Sequence, residues 1–271
     1  MFSLQRLVKI EPDVRQMVAD VICAYLRVPR GSDDVLVDGS SSGRPDDAAI
    51  EKEVQRTAQE ILSAMSVLPE PSTRGLTPPS PINLNLRNAT LVEFDLVDGL
   101  VGSCDFRGAR FLGQTRFNRC RITGEADFTG ATFDGPVVLD AATIRGPAWF
   151  HGCRFVGSVS LVETTFHDRV AFDEASFLGP AVFALTDLGP SFTFVGTRFS
   201  VSVDLSLARA SMLRPSVPPE GWGTRRSASD PQTVLFVRLS DDRGRPKDRE
   251  GAAARRPKLP QSRAAVRRQS R

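Results

Sequence analysis

The sequence repeats every 11 residues, without a gap, from Cys104 to Leu213, which gives ten units. The third position of each unit is always Phe or Leu, the sixth is small, and the eighth is Phe, Ile or Leu in every unit before Ala210. Large side chains therefore fall alternately five and six residues apart, which fits neither a helix nor strict strand alternation. The spacing predicts a chain that runs straight for two or three residues, turns a corner, often at glycine, and repeats.

Units two apart match better than neighbouring units, so the physical repeat is 22 residues with four sides per turn. Two of the four columns of large residues contain only phenylalanine: Phe106, Phe128, Phe150, Phe172 and Phe194 form one, and Phe111, Phe133, Phe155, Phe177 and Phe199 form the other. Like residues stack on like when each coil lies one inter-strand spacing, about 4.8 Å, above the last. The pattern predicts an all-β solenoid of about six coils, the first being a 20-residue coil that contains Leu86, Leu91, Leu96 and Val101.

Several units also carry a recognisable motif. The segments CDFRG (104–108), ADFTG (126–130) and ATFDG (131–135) resemble the small–Asp/Asn–Leu/Phe–x–x motif of the pentapeptide repeat family. The resemblance covers residues 84–213 and implies a right-handed quadrilateral β-helix. A sixth residue in every second unit departs from the strict motif and is similar to the alternating 5/6 spacing of actinobacterial-type members. We do not expect this extra residue to change the fold.

Residues 1–75 are predicted to form a small helical region, also similar to the segment that precedes the repeats in such members. Two amphipathic helices are expected over residues 13–27 and 49–65, joined by a flexible loop over 28–48. Their predicted buried faces are Val14, Met17, Val18, Val21 and Tyr25 in the first helix, and Ile50, Val54, Ala58, Ile61, Leu62 and Met65 in the second. Because an open coil exposes unpaired backbone, we expect the helices to cover the N-terminal coil.

After the repeats, the sequence predicts a C-terminal cap over 214–224, with prolines and Trp222 as a lid. Residues 225–271 carry 14 basic and 5 acidic side chains and are predicted to be a basic disordered tail, with one apolar stretch, VLFVRL, at 234–239. The repeats at 84–213 carry 11 basic and 14 acidic residues, so their net charge is −3. The positive charge of the chain therefore belongs to the tail.

The sequence contains few candidate catalytic or metal-binding residues. His151 and His167 are predicted to point outward without convergent partners, and GSSSG at 39–43 lies in a polar loop rather than at a nucleophile elbow. The four cysteines show no CxxC spacing and are expected to be buried, reduced thiols. We therefore expect no enzyme activity, no catalytic, cofactor or metal site, and no small-molecule substrate.

The expected location is the cytoplasm, because no apolar run is long enough to span a bilayer and no secretory signal is recognisable. Longer relatives of the family often carry two membrane helices before the helical region. Membrane anchorage is therefore expected only if the native start lies upstream of Met1.

One charged cluster is a candidate interaction patch. The first two units contain five arginines: Arg107, Arg110, Arg116, Arg119 and Arg121. They predict either a basic patch for an acidic partner or a solvated face that Asp105 and Glu125 partly neutralise.

The favoured function is a non-enzymatic scaffold that mediates protein–protein interaction through the exposed positions of a rigid rod. One alternative, implied by the resemblance, is a DNA-mimicking modulator of a type II topoisomerase. DNA mimicry would need roughly 17 net negative charges on a rod of roughly 29 Å, against the net −3 of these repeats. The other alternative is binding of nucleic acid or an anionic membrane surface through the tail.

Overall fold

The computed structural model describes residues 12–28, 45–67, 80–211, 215–230 and 232–239. Two helices come first, α1 (Pro12–Leu26) and α2 (Pro45–Ser66). The strands that follow are β1 (Ile82–Asn85), β2 (Thr90–Val92), β3 (Leu100–Asp105), β4 (Arg110–Leu112), β5 (Thr115–Arg116), β6 (Arg121–Ile122), β7 (Ala126–Asp127), β8 (Thr132–Phe133), β9 (Val137–Val138), β10 (Thr143–Ile144), β11 (Ala148–Trp149), β12 (Arg154–Phe155), β13 (Val159–Ser160), β14 (Thr165–Phe166), β15 (Val170–Ala171), β16 (Ser176–Phe177), β17 (Ala181–Val182), β18 (Phe192–Thr193), β19 (Arg198–Phe199), β20 (Val203–Asp204), β21 (Arg209–Ser211), β22 (Trp222–Arg226) and β23 (Thr233–Arg238).

The strands of the repeat region wind into a four-sided solenoid of about six coils, which confirms the predicted fold class. Side 1 stacks β1, the end of β3, β7, β11, β15 and β18, and side 2 stacks β2, β4, β8, β12, β16 and β19. Side 3 contains β5, β9, β13, β17 and β20, and side 4 contains the start of β3, β6, β10 and β14. From β4 to β20 the stacked strands pair in parallel at the 22-residue spacing, as in Phe155 opposite Phe177.

The two phenylalanine columns form continuous stacks inside the solenoid. Consecutive rings along the column that begins at Phe106 are 4.7–5.0 Å apart between centroids, and along the column that begins at Phe111 they are 4.5–4.9 Å apart. Neighbouring rings within each stack are tilted by only 4–13°. The ring spacing matches the inter-strand spacing because each coil lies one strand above the previous one.

Small residues fill the inward positions beside the large ones, and some of them are polar. The buried hydroxyls of Thr164 and Thr186 donate to the carbonyls of Leu139 and Leu161 in the preceding coil, each at 2.8 Å. The buried hydroxyl of Thr115 has no hydrogen-bond partner among the described residues. The hydroxyl of Thr115 is therefore unsatisfied, whereas those of Thr164 and Thr186, at a different position of the repeat, are bonded.

The helical region covers the N-terminal coil, and on sides 1 and 2 it does so with glutamine side chains. The Gln16 amide nitrogen donates to the backbone carbonyl of Asn83 at 3.0 Å, and its oxygen accepts from the Asn83 backbone amide at 2.7 Å. On side 2, the side-chain oxygen of Gln59 accepts from the Val92 amide at 3.0 Å. These side chains supply the bonds that a preceding coil would otherwise make.

Sides 3 and 4 of the first coil are covered by the end of α2. The Ser63 hydroxyl donates to the carbonyl of Asp95, and Val67 forms an antiparallel bridge with Gly99. Buried Arg15 of α1 donates to the carbonyls of Met65 and Ser80, at 2.5 and 3.0 Å. This guanidinium, whose pKa is lowered by burial, ties both helices to the entry of the solenoid.

The prediction of the buried helix faces was partly wrong. In α1, Met17 and Val21 are 59% and 66% exposed, whereas Ala19 and Cys23 are fully buried. The helix turns its small residues inward because Arg15, on the same face, must reach backbone carbonyls. In α2, the predicted face is buried only at its C-terminal end: Ala58, Leu62 and Met65 are buried, while Ile50 and Val54 are exposed.

The loop predicted over 28–48 is shorter than expected, because α2 begins at Pro45. Residues 29–44 lie outside the described part of the chain. No helix of the described residues is long and apolar enough to cross a membrane.

The predicted start of the disordered tail at 225 is corrected by the structure. The strands β21, β23 and β22 form an antiparallel sheet in that order, so regular structure extends beyond residue 225, as far as Arg238. Val234 and Phe236 are buried, and the Phe236 ring lies 5.1 Å from that of Phe192. This alternation of buried residues explains why VLFVRL is a strand within the cap. Ala210, the small residue at the eighth position of the last unit, is buried in β21. Residues 240–271 lie outside the described part of the chain.

The unsatisfied hydroxyl gives a direct test of the packing. We expect Thr115→Val to stabilise the protein by about 1–2 kcal/mol, because it replaces an unpaired buried hydroxyl with a methyl group of similar size. The matched variant Thr164→Val removes a bonded hydroxyl and should destabilise it by about 1 kcal/mol. Urea unfolding of both variants checks this, and equal effects of the two substitutions would contradict the assignment.

Candidate interaction surface

The four cysteines are buried, one in α1 and three in the solenoid, and they form no reactive arrangement. Cys23, Cys104, Cys120 and Cys153 are all free and buried. Burial raises the pKa of Cys23 to about 11 and that of Cys120 to about 12, and it also raises the pKa values of Cys104 and Cys153. Since the thiolate is the nucleophile, these cysteines act as packing residues at neutral pH.

The histidines do not form a site either. The exposed Nε2 of His151 lies 3.8 Å from a carboxylate oxygen of Glu174, and His167 follows β14 on a different side of the solenoid. No group of three or more potential metal ligands occurs among the described residues. The GSSSG segment lies outside them.

The structure does not bring the five candidate arginines together. Arg110 lies on side 2, Arg116 on side 3 and Arg121 on side 4. Arg107 occupies the corner after side 1, and Arg119 occupies the corner between sides 3 and 4. A single basic patch is therefore not formed, because successive outward positions of one coil face different directions.

Four of these five arginines are also paired with aspartates, mostly of a neighbouring coil. The pairs are Arg107 with Asp105 at 2.6 Å and with Asp127 at 3.5 Å, Arg110 with Asp134 at 2.9 Å, Arg116 with Asp95 at 2.5 Å, and Arg119 with Asp98 at 2.7 Å. Hydrogen bonds from the arginines lower the pKa values of Asp98 and Asp105. The arrangement agrees with the predicted solvated face, in which Asp105 is a neutralising partner.

Glu125, the other predicted partner, is engaged differently. Its carboxylate accepts a 2.6 Å hydrogen bond from the indole nitrogen of Trp149, which lies on the outside of side 1. From the next coil, the Arg169 guanidinium lies 6.0 Å from the Trp149 ring centroid. The half-buried indole is therefore held between an acid below it and a cation above it.

These residues belong to one continuous strip, which we call the side-1 surface: Asp105, Glu125, Asp127, Trp149 and Arg169. A groove of about 340 Å³ lies at its N-terminal end, where Asp20 of α1 joins Asn85 and the three acids of the strip. A second groove of about 340 Å³ lies beside Trp149 and is lined by Arg169, Asp173 and Thr193. The strip combines an acidic end with an aromatic centre.

Trp149 was not among the candidate residues predicted from the sequence. The available clue was its position: it is the second residue of a repeat unit, immediately before an inward phenylalanine, so it had to point outward. A tryptophan, one of two in the chain, is costly at an outward position unless something covers it. The pairing with Glu125 and Arg169 could not be read from the sequence without the register of the coils.

The repeat region matches a family model. The model described as pentapeptide repeats, in nine copies, matches residues 102–143 and 139–184. This chain is a pentapeptide repeat protein. The solenoid fold of such proteins generally serves as a protein-interaction scaffold. No curated protein and no solved structure matches the chain.

The Asp105–Arg107 pair of this pentapeptide repeat protein gives a pH-dependent test. We expect Arg107→Gln to raise the pKa of Asp105 toward its ordinary value, because the hydrogen bonds that favour the carboxylate are lost. A depressed folded-state pKa contributes stability above the ordinary aspartate pKa, about 4, and this stability is lost as the pH falls. Carboxyl NMR titration measures the shift. An unchanged Asp105 pKa in the variant would contradict the pairing.

The thiols of the pentapeptide repeat protein give a second test. A thiol-specific chromogenic reagent at about pH 8 should label none of the four cysteines in the native protein, since their pKa values are raised and their sulfurs are buried. All four should react in denaturant, which serves as the control. Fast labelling of one cysteine in the native state would show that its packing is looser than described.

Proposed function

We propose that this pentapeptide repeat protein is a non-enzymatic scaffold that binds a partner protein through the side-1 surface. The observation that carries the proposal is Trp149, an outward indole fixed by Glu125 and Arg169 in the middle of that surface. The cytoplasmic location remains a prediction from the sequence.

Trp149 has the properties of an interface anchor. Tryptophan is among the residues most enriched at binding hot spots, where a rigid ring buries a large area at a small cost in side-chain entropy. Here the ring is held in place before binding by contacts from the two adjacent coils. A preorganised anchor loses less freedom on association, so more of its burial contributes to affinity.

The charges of the side-1 surface favour a basic partner. Together with Asp20 in the adjoining groove, the strip presents four carboxylates, Asp20, Asp105, Glu125 and Asp127, against the guanidiniums of Arg107 and Arg169. Complementary charge mainly raises the association rate and selects the partner. We therefore propose a partner surface with basic residues next to an apolar or aromatic site that accepts Trp149.

The two alternatives receive less support. A DNA mimic needs a continuous acidic surface, and the pairing of arginines with aspartates between coils works against one. Binding through the tail now concerns residues 240–271, with 11 basic and 4 acidic side chains, since the preceding strands belong to the cap. Both alternatives are retained as outcomes of the experiment below.

The test is affinity capture from nuclease-treated native lysate with three baits: the full chain, a chain ending at Leu239, and the full chain with Trp149→Ala. The cut follows Leu239 because an earlier one would remove strands β22 and β23. We expect one protein to be enriched by the first two baits, and at least tenfold less by the third, since a hot-spot residue contributes about 2 kcal/mol or more.

The matched control is Val156→Ala, which shortens an exposed residue on side 2 and should leave capture unchanged. Circular dichroism checks that both variants keep their fold. Equal capture by the Trp149→Ala bait would overturn the side-1 proposal. Enrichment by the full chain alone would move the function to residues 240–271, and enrichment of a topoisomerase would favour the DNA mimic.

A further inference from the structure

The two ends of the solenoid are not covered to the same extent. All four sides of the first coil receive hydrogen bonds or a bridge from the helical region. At the last coil, side 1 is bridged by Val217 to Thr193, and β21, which continues side 4, pairs with β23. On sides 2 and 3, β19 and β20 each pair with only one strand among the described residues, the strand of the coil before.

The hydrogen-bonding pattern identifies the free groups. On side 3 of the preceding coil, the amides of Ala181 and Phe183 donate to the carbonyls of Ser202 and Asp204. The equivalent amides one coil later belong to Val203 and Leu205, and they donate to no described residue. Leu205 is fully buried, so the accessible amide of this edge is that of half-buried Val203. On side 2, the carbonyls of Thr197 and Phe199 are equivalent to those of Ala175 and Phe177, which accept bonds from Arg198 and Ser200. The edge therefore offers both donors and acceptors.

A groove lies along this edge at the corner between sides 2 and 3. It has a volume of about 450 Å³ and runs between the last coil and the segment Glu220–Trp222. Its apolar lining comes from half-buried Phe199, Val203 and Trp222 and from Val201, which is 53% exposed. Unpaired strand edges next to an apolar groove are the arrangement that peptide-binding domains use to add a strand.

The charge of the groove indicates the kind of peptide. Arg198 and Arg238 line it, against one carboxylate among its described lining residues, that of Glu220. Neither arginine forms an ion pair with a described carboxylate, in contrast to the paired arginines of the first coils, and Arg238 lies over the Trp222 ring at 5.9 Å. Exposed Arg225 and Arg226 lie on β22 in the same cap. The free cations favour an acidic occupant.

We propose that the C-terminal edge formed by β19 and β20 binds an acidic, extended segment of a partner protein as an added β-strand. Backbone hydrogen bonds to the carbonyls of Thr197 and Phe199 and to the Val203 amide supply the register. Alternate apolar side chains enter the groove beside Phe199 and Trp222, and carboxylates meet Arg198 and Arg238. This edge is distinct from the side-1 surface, so the inference goes beyond the proposed function and does not depend on it.

The probe is a fluorescein-labelled synthetic peptide of alternating valine and glutamate, about ten residues long, which is enough for one strand. Fluorescence anisotropy with the full chain should show saturable binding. Hydrogen exchange should slow at the amide of Val203. The amides of Arg198 and Ser200, already bonded to the preceding coil, serve as internal controls and should not change.

Two peptides N-methylated at alternate residues separate strand addition from nonspecific attraction. Methylation of the amides along the peptide edge that faces the solenoid should lower the affinity at least tenfold. Methylation of the amides along the opposite edge should leave the affinity unchanged. A valine–lysine peptide and the double variant Arg198→Gln with Arg238→Gln should each bind at least fivefold more weakly. Circular dichroism of the variant verifies folding.

Equal affinity for both methylated peptides, absence of saturable binding by the unmodified peptide, or slowed exchange at amides outside the last coil would overturn the proposal. Preference for the valine–lysine peptide would overturn the charge assignment and with it the stated partner. Trp149→Ala should leave peptide binding unchanged, so failure at this edge and failure of the side-1 proposal give different results.

Discussion

In-register hydrogen bonding between successive coils is the constraint on which the rest of the structure depends. It places each residue directly above the residue 22 positions earlier, as with Phe133, Phe155 and Phe177 on side 2. At a spacing of one strand, two phenyl rings fit at the same inward position of consecutive coils only when they lie parallel. Phenylalanine meets this requirement without a buried hydroxyl, which accounts for 17 Phe against a single Tyr.

The same constraint leaves only outward-facing side chains available for binding. A side of two or three residues points its alternate side chains inward, and the opposite column fills the remaining space, so side chains fill the interior of the described coils. Outward residues meet their counterparts in the adjacent coil, which is why arginines and aspartates 21 to 24 positions apart form pairs, as Asp95–Arg116 and Arg110–Asp134 do. Recognition by such a molecule depends on which outward residues remain unpaired or exposed.

The core could be predicted from the sequence, because a strict period leaves one way to stack like on like. The repeat gave the four sides, the six coils and the two phenylalanine columns. Features outside the repeat, such as the helices and the cap, were harder to predict. Helix amphipathicity selected Met17 and Val21 for burial. The hydrogen bonds of Arg15 to Met65 and of Gln16 to Asn83 in the first coil determine which face turns inward. Likewise, Val234 and Phe236 lie in β23, which pairs antiparallel with β21 of the last coil. The repeat pattern does not extend to β23, so it could not predict this pairing.

The ends of the solenoid are marked by a change in side-chain size within single columns. On side 1, the small inward column reads Leu84, Cys104, Ala126, Ala148, Val170 and Phe192, so its largest members lie in the first and last coils. On side 3, Phe94 begins a column that continues with Thr115 and Val137.

A central coil has a neighbour on both sides and needs only a small residue at these positions. An end coil faces a cap that does not repeat its shape, and larger side chains fill the difference, as Phe192 does against Phe236. No described cap residue fills the space beside Phe199 on side 2 or Val203 on side 3. These two columns therefore end half-exposed, each beside an unpaired strand edge. Larger side chains thus mark the end of the solenoid where it is closed, and their absence at Phe199 and Val203 coincides with the edge that we propose binds a partner.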